Sequence, residues 1–176
     1  MFYDEFVSTI RLDILQKIPI HYNLEIGNWQ TDNKRNQELE QIFFRYVQNN
    51  GPNIVFRTIY PKYNLDLDAV YIPDIVHFQS SLEYYYCLFH ELAHSTIHKD
   101  RMDRKIGIVD NAFEEIVSEF ASAYITTKVM NEVFKYSSSF IRHHSESSNI
   151  LGGGLDDIEL GRNIAISVGE YILNGG

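Results

Sequence analysis

The first third of the chain shows two stretches with apolar residues at helical spacing, separated by a polar segment. Apolar residues recur at every fourth position from Phe2 to Ile14, and a proline follows shortly afterwards, which predicts an N-terminal helix over residues 2–17. The polar, turn-rich residues 27–36 predict a linker. Helical periodicity returns over residues 37–48 and stops at the sequence Asn-Asn-Gly-Pro-Asn. We therefore expect two helices joined by a polar connection.

The middle of the chain holds two β-like runs, which are followed by helical patterns. β-Branched and aromatic residues fill residues 54–60 and 69–73, and turn residues bound both runs, which predicts two short strands. Apolar periodicity predicts three further helices, over residues 80–98, 111–134 and 156–173. Two short strands among several helices indicate an α+β fold that is mostly helical, with a small sheet.

Composition limits the class of protein. At 176 residues and 44% hydrophobic content, the chain is long enough to bury one core. We expect an N-terminal helix and linker over residues 1–35 and one domain over residues 36–176. Cys87 is the only cysteine, the N-terminal sequence lacks the features of a signal peptide, and no run approaches the ~18 apolar residues of a membrane helix. These features predict a soluble, cytoplasmic protein without a membrane partner.

The charge balance is acidic and argues against nucleic acid as a partner. The net charge is −9, which disfavours broad binding to a phosphate backbone. The local basic cluster at residues 98–105, His-Lys-Asp-Arg-Met-Asp-Arg-Lys, itself contains two aspartates. Mixed charge of this kind is typical of a solvated loop, and we expect one here.

The helix predicted over residues 80–98 contains the sequence His-Glu-Leu-Ala-His. Residues four apart in an α-helix lie about 40° apart around the axis and about 6 Å along it, so His90 and His94 point in the same direction from successive turns. Two neutral imidazoles can then hold one Zn²⁺ ion. Glu91 lies at the flank of that face, where it can accept a proton from a water that zinc activates. The motif thus predicts a zinc site with Glu91 as the catalytic general base.

The remaining residues of this helix indicate a polar face that is separate from the core face. Tyr85, Leu88 and Leu92 form an apolar stripe, whereas both histidines lie on the other stripe. This separation disfavours buried core histidines and leaves a solvated, histidine-rich face as the alternative. His98 cannot bind the same ion, because eight helical residues rise about 12 Å and the ligands of one ion span only about 4 Å. We expect His98 to support the ligands from outside, or to be a residue of the helix end.

A third ligand must come from another element, and the helix predicted from residue 111 offers carboxylates. Its sequence Glu-Glu-Ile-Val-Ser-Glu places Glu115 and Glu119 on the polar stripe, four residues apart. We expect Glu115 to bind the metal and Glu119 to accept a hydrogen bond from the outer N–H of a ligand histidine. Glu114 and Glu119 are alternative ligands, and a solvated acidic face is the interpretation without a metal. Small residues at 121–123 would let the two helices approach closely.

Cys87 and two histidines are further candidates for chemistry. Cys87 lies on the polar stripe one turn before His90, but a lone helical cysteine usually packs as a small hydrophobic residue. His143 and His144 lie far along the chain, and one of them could donate a hydrogen bond to the oxyanion of a tetrahedral intermediate. The alternative for both histidines is a surface loop.

The sequence resembles the zincin-like metallopeptidase domain of ArdC-type antirestriction proteins, which also occurs in phage and plasmid polyvalent proteins. The resemblance covers roughly residues 36–173. Its specific parts are Tyr-Ile-Pro before the helix, Leu-Phe-His-Glu-Leu-Ala-His within it, a histidine four residues later, and Phe-Glu-Glu-Ile-Val-Ser-Glu downstream. The resemblance implies a zincin-like metallopeptidase fold, in which the small sheet lies beside the His-Glu-x-x-His helix.

The resemblance also implies a ligand set. In this family, as in gluzincins such as the thermolysin group, zinc is expected on His90, His94 and Glu115, with the glutamate after the first histidine as general base. The thermolysin-type pattern Asn-Glu-x-x-Ser-Asp aligns with the sequence from Glu114 to Glu119, and this alignment favours Glu115 over Glu114.

The chain departs from the ArdC-type pattern at three points. ArdC-type proteins carry an N-terminal domain that binds single-stranded DNA, and residues 1–35 are too short and too acidic to replace it, so we do not expect nucleic acid as a partner. The family usually has Thr-Gly-His where this chain has Thr96-Ile97-His98. A later histidine motif of the family corresponds loosely to the segment around His144, which is the basis for a catalytic role of His144 at the oxyanion.

The leading hypothesis is a zinc metallopeptidase that cleaves a protein or peptide substrate. A role in antirestriction, and an origin in a mobile element or phage, are implied by the resemblance alone. The alternative is a non-catalytic, acidic binding or decoy protein that has a structural zinc site and inhibits a nucleic-acid-acting host enzyme. A third interpretation is a metal-free domain that keeps only the fold. Glu91 distinguishes the first two, because a structural site needs the ligands but not the base.

Overall fold

The structure is a computed structural model of the chain, and it describes residues 32–104, 111–131 and 155–176. The helix predicted over residues 2–17 lies outside these residues. The described elements are α1 (Gln37–Asn50), β1 (Asn53–Phe56), β2 (Lys62–Asn64), β3 (Ala69–Ile72), a 3₁₀ helix (Ile75–His77), α2 (Ser81–Ser95), α3 (Asn111–Met130) and α4 (Leu155–Asn174). The expected α+β class is confirmed. In the described part of the chain, no helix is both long and apolar enough to cross a membrane.

The sheet has three short strands in the order β1-β3-β2, so β3 is central. β1 pairs with β3 in parallel, and β2 pairs with β3 in the antiparallel direction. Ile54 in β1 and Tyr63 in β2 both lie opposite Val70. The sheet packs beside α2, which contacts both β2 and β3.

One strand boundary and one whole strand differ from the sequence-based prediction. β1 ends at Phe56 instead of residue 60, because Arg57 has a φ of 61°, a left-handed conformation that does not continue a strand. β2 is absent from the prediction, because three residues with a lysine and an asparagine at the ends carry no recognisable hydrophobic pattern. By contrast, β3 follows the predicted run closely.

Side chains before α1 and α2 cap the free amides of these helices. Asn36 accepts hydrogen bonds from the backbone N–H groups of Glu38 and Leu39 at the start of α1. Ser80 accepts one from the backbone N–H of Glu83 at the start of α2. Both helices therefore begin where their sequence predicts.

The hydrophobic core lies between the helices and the sheet. The predicted apolar stripe of α2, Tyr85, Leu88 and Leu92, is completely buried, at 0% exposure. Burial of each leucine side chain contributes roughly 2 kcal/mol to folding. The same core cluster includes residues from every described α-helix and from β3: Leu39, Phe43, Val70, Ile72, Phe89, Val117, Ile125, Val168 and Ile172.

α2 ends at Ser95 instead of at about His98. The hydroxyls of Ser95 and Thr96 donate to the backbone carbonyls of Leu92 and Ala93, at 2.6 and 2.7 Å, and so compete with the helical hydrogen bonds of the last turn. Tighter turns follow, in which the backbone N–H of His98 donates to the carbonyl of Ser95. His98 therefore does not continue the helical stripe of the other histidines.

The prediction of a solvated loop after α2 is wrong for its two arginines. The side chains of Arg101 and Arg104 are only 2% and 8% exposed. Arg101 donates to the carbonyl of Ser95 and pairs with Asp68, while Arg104 donates to the carbonyl of Ala93. Both guanidinium groups satisfy free carbonyls at the end of α2 and reach carboxylates on other segments, which the local sequence does not reveal.

Small residues allow α2, α3 and α4 to pack closely. Ser122 in α3 donates its hydroxyl to the backbone carbonyl of Tyr86 in α2, at 2.5 Å, and its neighbours Ala121 and Ala123 are also buried. This contact agrees with the close approach expected from the small residues at 121–123. Gly161 and Gly169 in α4 likewise allow α4 to pack closely against α3.

Candidate metal centre

Three side chains from two helices converge around one point. His90 and His94 extend from successive turns of α2, and their Nε2 atoms lie 3.0 Å apart. Glu115 in α3 brings one carboxylate oxygen to 3.3 Å from Nε2 of His90 and the other to 3.4 Å from Nε2 of His94. Within the described ranges, this is the one group of at least three His, Cys, Asp or Glu side chains whose ligand atoms all lie within 4.8 Å of one another.

The spacing and the chemistry of these atoms fit a metal ion. Ligand atoms that surround zinc tetrahedrally at about 2.1 Å lie about 3.4 Å from one another, close to the three distances observed here. Imidazole Nε2 atoms and carboxylate oxygens can all present lone pairs, and lone pairs that face one another at this range repel unless a positive charge lies between them. Two histidines and one glutamate are the donor set of one class of catalytic zinc site, which leaves a fourth position open.

The outer nitrogen of His90 faces a carboxylate of α3. Its Nδ1 lies 3.6 Å from Oε2 of Glu119, a residue that is 3% exposed. The same oxygen accepts a hydrogen bond from the hydroxyl of Tyr86. Glu119 therefore lies where it can accept a hydrogen bond from the Nδ1–H group of His90 and orient the ring, so that Nε2 faces the other two ligand atoms.

The outer nitrogen of His94 has a different set of neighbours. Its Nδ1 lies 3.0 Å from Oγ of Ser118 and 3.4 Å from Oε1 of Glu114. Arg104 donates two hydrogen bonds to the carboxylate of Glu114, at 2.6 and 2.8 Å. Glu114, an alternative ligand on the sequence alone, thus faces the outer nitrogen of His94, whereas Glu115 faces both inner nitrogens.

The carboxylates around the two imidazoles dominate the electrostatics of the site. Burial alone would lower the pKa of His90, but Glu119 and Glu115 outweigh burial and hold this pKa well above its usual range. Burial has the same effect on His94, and the hydrogen bonds with Glu114 and Glu115 outweigh it and raise the pKa of His94 to about 9. The surroundings therefore favour a positive charge between the three ligand atoms.

Glu91 follows His90 in α2 and is also buried, at 8% exposure. Burial raises the pKa of its carboxyl group, and the opposing charges of His90 and His94 do not cancel this effect. The backbone of Tyr63 in β2 faces the carboxylate and opposes this rise. A buried carboxyl group with a raised pKa therefore lies beside the three candidate ligand atoms.

The family of the chain follows from a comparison with known proteins. The model of a family described as zincin-like metallopeptidase matches residues 41–145, which contain the sheet, α2, α3 and all three candidate ligands. The chain belongs to the zincin-like metallopeptidases. No curated protein matches it in sequence. Membership of this family, together with the donor set of two histidines and a glutamate, supports a divalent metal as cofactor, and zinc fits these donors.

Two solved structures of the antirestriction protein ArdC from the R388 plasmid resemble this zincin-like chain. The manganese(II)-bound structure is 22% identical with a TM-score of 0.64, and the match covers 91% of this chain and 58% of ArdC. The metal-free structure is 22% identical with a TM-score of 0.60, and the match covers 84% of this chain and 54% of ArdC. The likeness establishes a shared fold. This chain corresponds to little more than half of the length of ArdC.

Two other predicted residues of the zincin-like chain, His98 and Cys87, have different surroundings. His98 lies in the turn after α2, where its Nδ1 is 3.7 Å from the carboxylate of Asp100 and accepts the backbone N–H of Asp100 at 3.3 Å. It therefore occupies a position at the helix end. Cys87 packs against the hydrophobic core, and burial raises the pKa of its thiol. His144 lies outside the described residues.

Ser118 and Arg104 belong to the surroundings of the zincin-like centre but were not predicted from the sequence. Ser118 is four residues after Glu114, and residues at that spacing share a helix face, so periodicity was a usable signal. For Arg104 the sequence carries no comparable signal, because an arginine in a segment of mixed charge usually faces solvent.

Proposed function

We propose that the chain is a zinc-dependent metallopeptidase, which hydrolyses a peptide bond in a protein or peptide substrate. The observation that carries this proposal is the convergence of His90, His94 and Glu115 on one point, with the buried Glu91 beside them. Membership of the zincin-like metallopeptidase family supports the reaction class. The manganese(II)-bound form of ArdC supports the presence of a divalent metal in a protein of this fold.

Each residue of the centre would have a distinct part in the reaction. His90 and His94 would hold the ion through Nε2, and Glu115 through its carboxylate. Zinc, when bound, would supply a Lewis acid that lowers the pKa of water to about 7. A carboxylate oxygen of Glu91 would accept the proton of the attacking water and pass it to the nitrogen of the leaving amine. The raised pKa of Glu91 suits both proton transfers.

The first test separates metal binding from catalysis. We expect elemental mass spectrometry to find about one zinc per chain in the wild type and in Glu91→Gln, and none in His94→Ala or Glu115→Ala. Hydrolysis of an unfolded protein or a peptide library should fall by a factor of about 100 or more in Glu91→Gln. Glutamine keeps the shape of the side chain but cannot accept the proton.

Glu83→Gln is the matched control for this experiment. Glu83 lies in the first turn of the same helix, and its carboxylate accepts the backbone N–H of Gln79 at 2.7 Å. This variant should keep both zinc and activity. Zinc without hydrolysis in the wild type would contradict the peptidase and favour the non-catalytic binding protein with a structural zinc site. A wild type that binds no zinc, even after reconstitution, would contradict the metal-dependent function.

We also propose that the proteolytic activity acts in antirestriction, because ArdC, which shares this fold, is an antirestriction protein. The test is the transformation of a restricting bacterial host with an unmodified plasmid, in the presence of the wild type or of Glu91→Gln. Protection by the wild type alone would link antirestriction to proteolysis. Equal protection by both proteins would favour a binding function, and protection by neither would contradict an antirestriction role.

A further inference from the structure

Four side chains, each at most 13% exposed, form a continuous series of contacts from His94 to Arg104. Nδ1 of His94 lies 3.0 Å from Oγ of Ser118. The hydroxyl of Ser118 donates to Oε1 of Glu114 at 3.3 Å. Arg104 donates two N–H groups to the same carboxylate, at 2.6 and 2.8 Å. The series connects α2, α3 and the segment that follows α2.

The arginine fixes the direction of every hydrogen bond in this series. A guanidinium group has only donors, so the carboxylate of Glu114 accepts from Arg104. An ionised carboxylate has only acceptors, so the hydroxyl of Ser118 donates to Glu114. Because a hydroxyl has a single proton, Ser118 can then only accept from His94. Nδ1 of His94 must therefore carry a proton.

We propose that Arg104, Glu114 and Ser118 are positioning residues, which hold His94 in the tautomer with its proton on Nδ1. This inference rests on the proposed function of His94 as a metal ligand. With the proton on Nδ1, Nε2 keeps its lone pair, and Nε2 is the atom that lies 3.4 Å from the carboxylate of Glu115. Either nitrogen of a neutral imidazole can carry the proton when no partner selects one.

Burial strengthens the preference for the His94 tautomer that has its proton on Nδ1. Ser118 is 0% exposed and the side chain of Arg104 is 8% exposed, so water competes little for these hydrogen bonds. Arg104 also donates to Oγ1 of Thr96 and to the carbonyl of Ala93, at 3.0 and 3.1 Å. These two contacts hold the guanidinium group in place whether or not a metal is bound.

The two imidazoles of the centre differ in this respect. At His90, the facing group is the carboxylate of Glu119, which only accepts and so selects a proton on Nδ1 by itself. At His94, the facing group is the hydroxyl of Ser118, which can accept as well as donate. Its direction is fixed only through Glu114 and Arg104. Zinc affinity should therefore depend strongly on the series that ends at Arg104.

The main test is the zinc affinity of Ser118→Ala and Glu114→Gln, measured by competition with a chromogenic chelator. We expect both variants to bind zinc about 10- to 100-fold more weakly than the wild type. Ser122→Ala is the matched control, because Ser122 lies one turn later in α3, is equally buried at 0%, and donates to the carbonyl of Tyr86. Ser122→Ala should keep the zinc affinity of the wild type. Circular dichroism of the metal-free proteins checks that all three variants fold.

Two substitutions of Arg104 test whether this residue sets the direction of the hydrogen bonds in the series. Lysine also only donates, so Arg104→Lys keeps the direction of the series even though it loses one of the two contacts with Glu114. Glutamine has no charge, so Arg104→Gln removes the charged donor that faces the carboxylate of Glu114. We expect Arg104→Lys to bind zinc more tightly than Arg104→Gln. The opposite order would overturn the part assigned to Arg104.

The nitrogen-15 resonances of the histidine rings in the zinc-loaded wild type report the tautomer directly. We expect a proton on Nδ1 of His94 and zinc on Nε2. Zinc on Nδ1 of His94, or an unchanged zinc affinity in folded Ser118→Ala and Glu114→Gln, would overturn this inference and leave the proposed function standing. A wild type that binds no zinc would overturn both.

Discussion

Arg101 is the residue that ties the sheet to α1 and α2. Its guanidinium group donates to the backbone carbonyls of Ser95 and Asn50, at 2.6 and 3.1 Å. It also pairs with Asp68, between β2 and β3, and donates to the hydroxyl of Tyr63 at 3.2 Å. The backbone of this tyrosine faces the proposed general base. One buried charge therefore links the ends of two helices to the strand beside the metal centre.

Removing the partner of this charge should destabilise the protein. We expect Asp68→Asn to lower the free energy of unfolding of the metal-free protein by about 2 kcal/mol, because Arg101, at 2% exposure, keeps its charge without a counter-charge. Urea denaturation at pH 7 measures the change. Asp66→Asn, at an exposed position of the same turn, should change the free energy by less than about 0.5 kcal/mol. Equal effects of the two substitutions would contradict the prediction.

The same ion pair makes the stability depend on pH. Burial alone would raise the pKa of Asp68, but the hydrogen bonds from Arg101 and Tyr63 outweigh burial and lower it. A carboxyl group with a lowered pKa in the folded state stabilises the protein fully above its unfolded pKa of about 3.9, and this stabilisation is lost as the pH falls through the folded value. The difference in unfolding free energy between the wild type and Asp68→Asn should therefore be constant from about pH 7 to 5 and shrink below about pH 4. A difference that persists unchanged at pH 3 would be evidence against this pair.

At the scale of elements, periodicity predicted which residues share a face of a single helix. The stripe of Tyr85, Leu88 and Leu92 is buried, and His90 and His94 share another face, because both patterns follow from the helical repeat. Contacts between elements were harder to predict from the sequence. β2 is defined by its hydrogen bonds with β3, and it has no hydrophobic pattern of its own from which a strand could be predicted.

The choice among the glutamates of α3 shows the same limit. All three carboxylates lie within six consecutive residues of one helix, so spacing alone leaves each of them a candidate ligand. The rotation of α3 against α2 decides between them. It directs Glu115 to the inner nitrogens of the histidines, and it directs Glu114 and Glu119 to the outer nitrogens.

The contact between α3 and α4 should not tolerate a methyl group at Gly169. A Cβ at this position would lie 2.6 Å from the ring of Tyr124, whose hydroxyl donates a hydrogen bond to Glu170. Alanine gains about 1 kcal/mol in helix propensity, but overpacking typically costs about 1–3 kcal/mol. We expect Gly169→Ala to lower the free energy of unfolding by about 1 kcal/mol in a chemical denaturation experiment.

A second substitution in α4 separates packing from helix propensity. Ser167 is exposed in the same helix, so Ser167→Ala should leave the unfolding free energy unchanged or raise it slightly. A Gly169→Ala protein that is more stable than the wild type would show that α3 and α4 can move apart at little cost.

At the scale of the whole molecule, metal binding should stabilise the fold, because the three ligand atoms come together only in the folded chain. A ligand that binds only the folded state adds about 4 kcal/mol at a free concentration about 1,000 times its Kd. We expect zinc to raise the Tm of the wild type in differential scanning fluorimetry and to leave the Tm of His94→Ala unchanged. A wild-type Tm that does not respond to zinc would contradict the assignment of the centre.

The family and the α+β class could be predicted from the sequence, because the His-Glu-x-x-His helix and the glutamate helix are long and strongly periodic. The division into residues 1–35 and 36–176 stays a prediction. The burial of Arg101 and Arg104 could not be predicted, since their partners come from distant segments. Local composition gives the usual environment of a residue type, whereas a buried ion pair depends on how segments meet.

The ion pair between Arg104 and Glu114 spans ten residues of the chain. Closing so short a loop costs little entropy, and the two side chains close it without any ligand. Glu115 is thereby positioned next to the two histidines while the protein folds. Metal binding therefore does not include the entropic cost of bringing the ligands together. The metal would meet preorganised ligands, in contrast to a zinc finger, which gains its fold with the ion. The far-ultraviolet circular dichroism of the metal-free protein should therefore match that of the zinc-loaded protein.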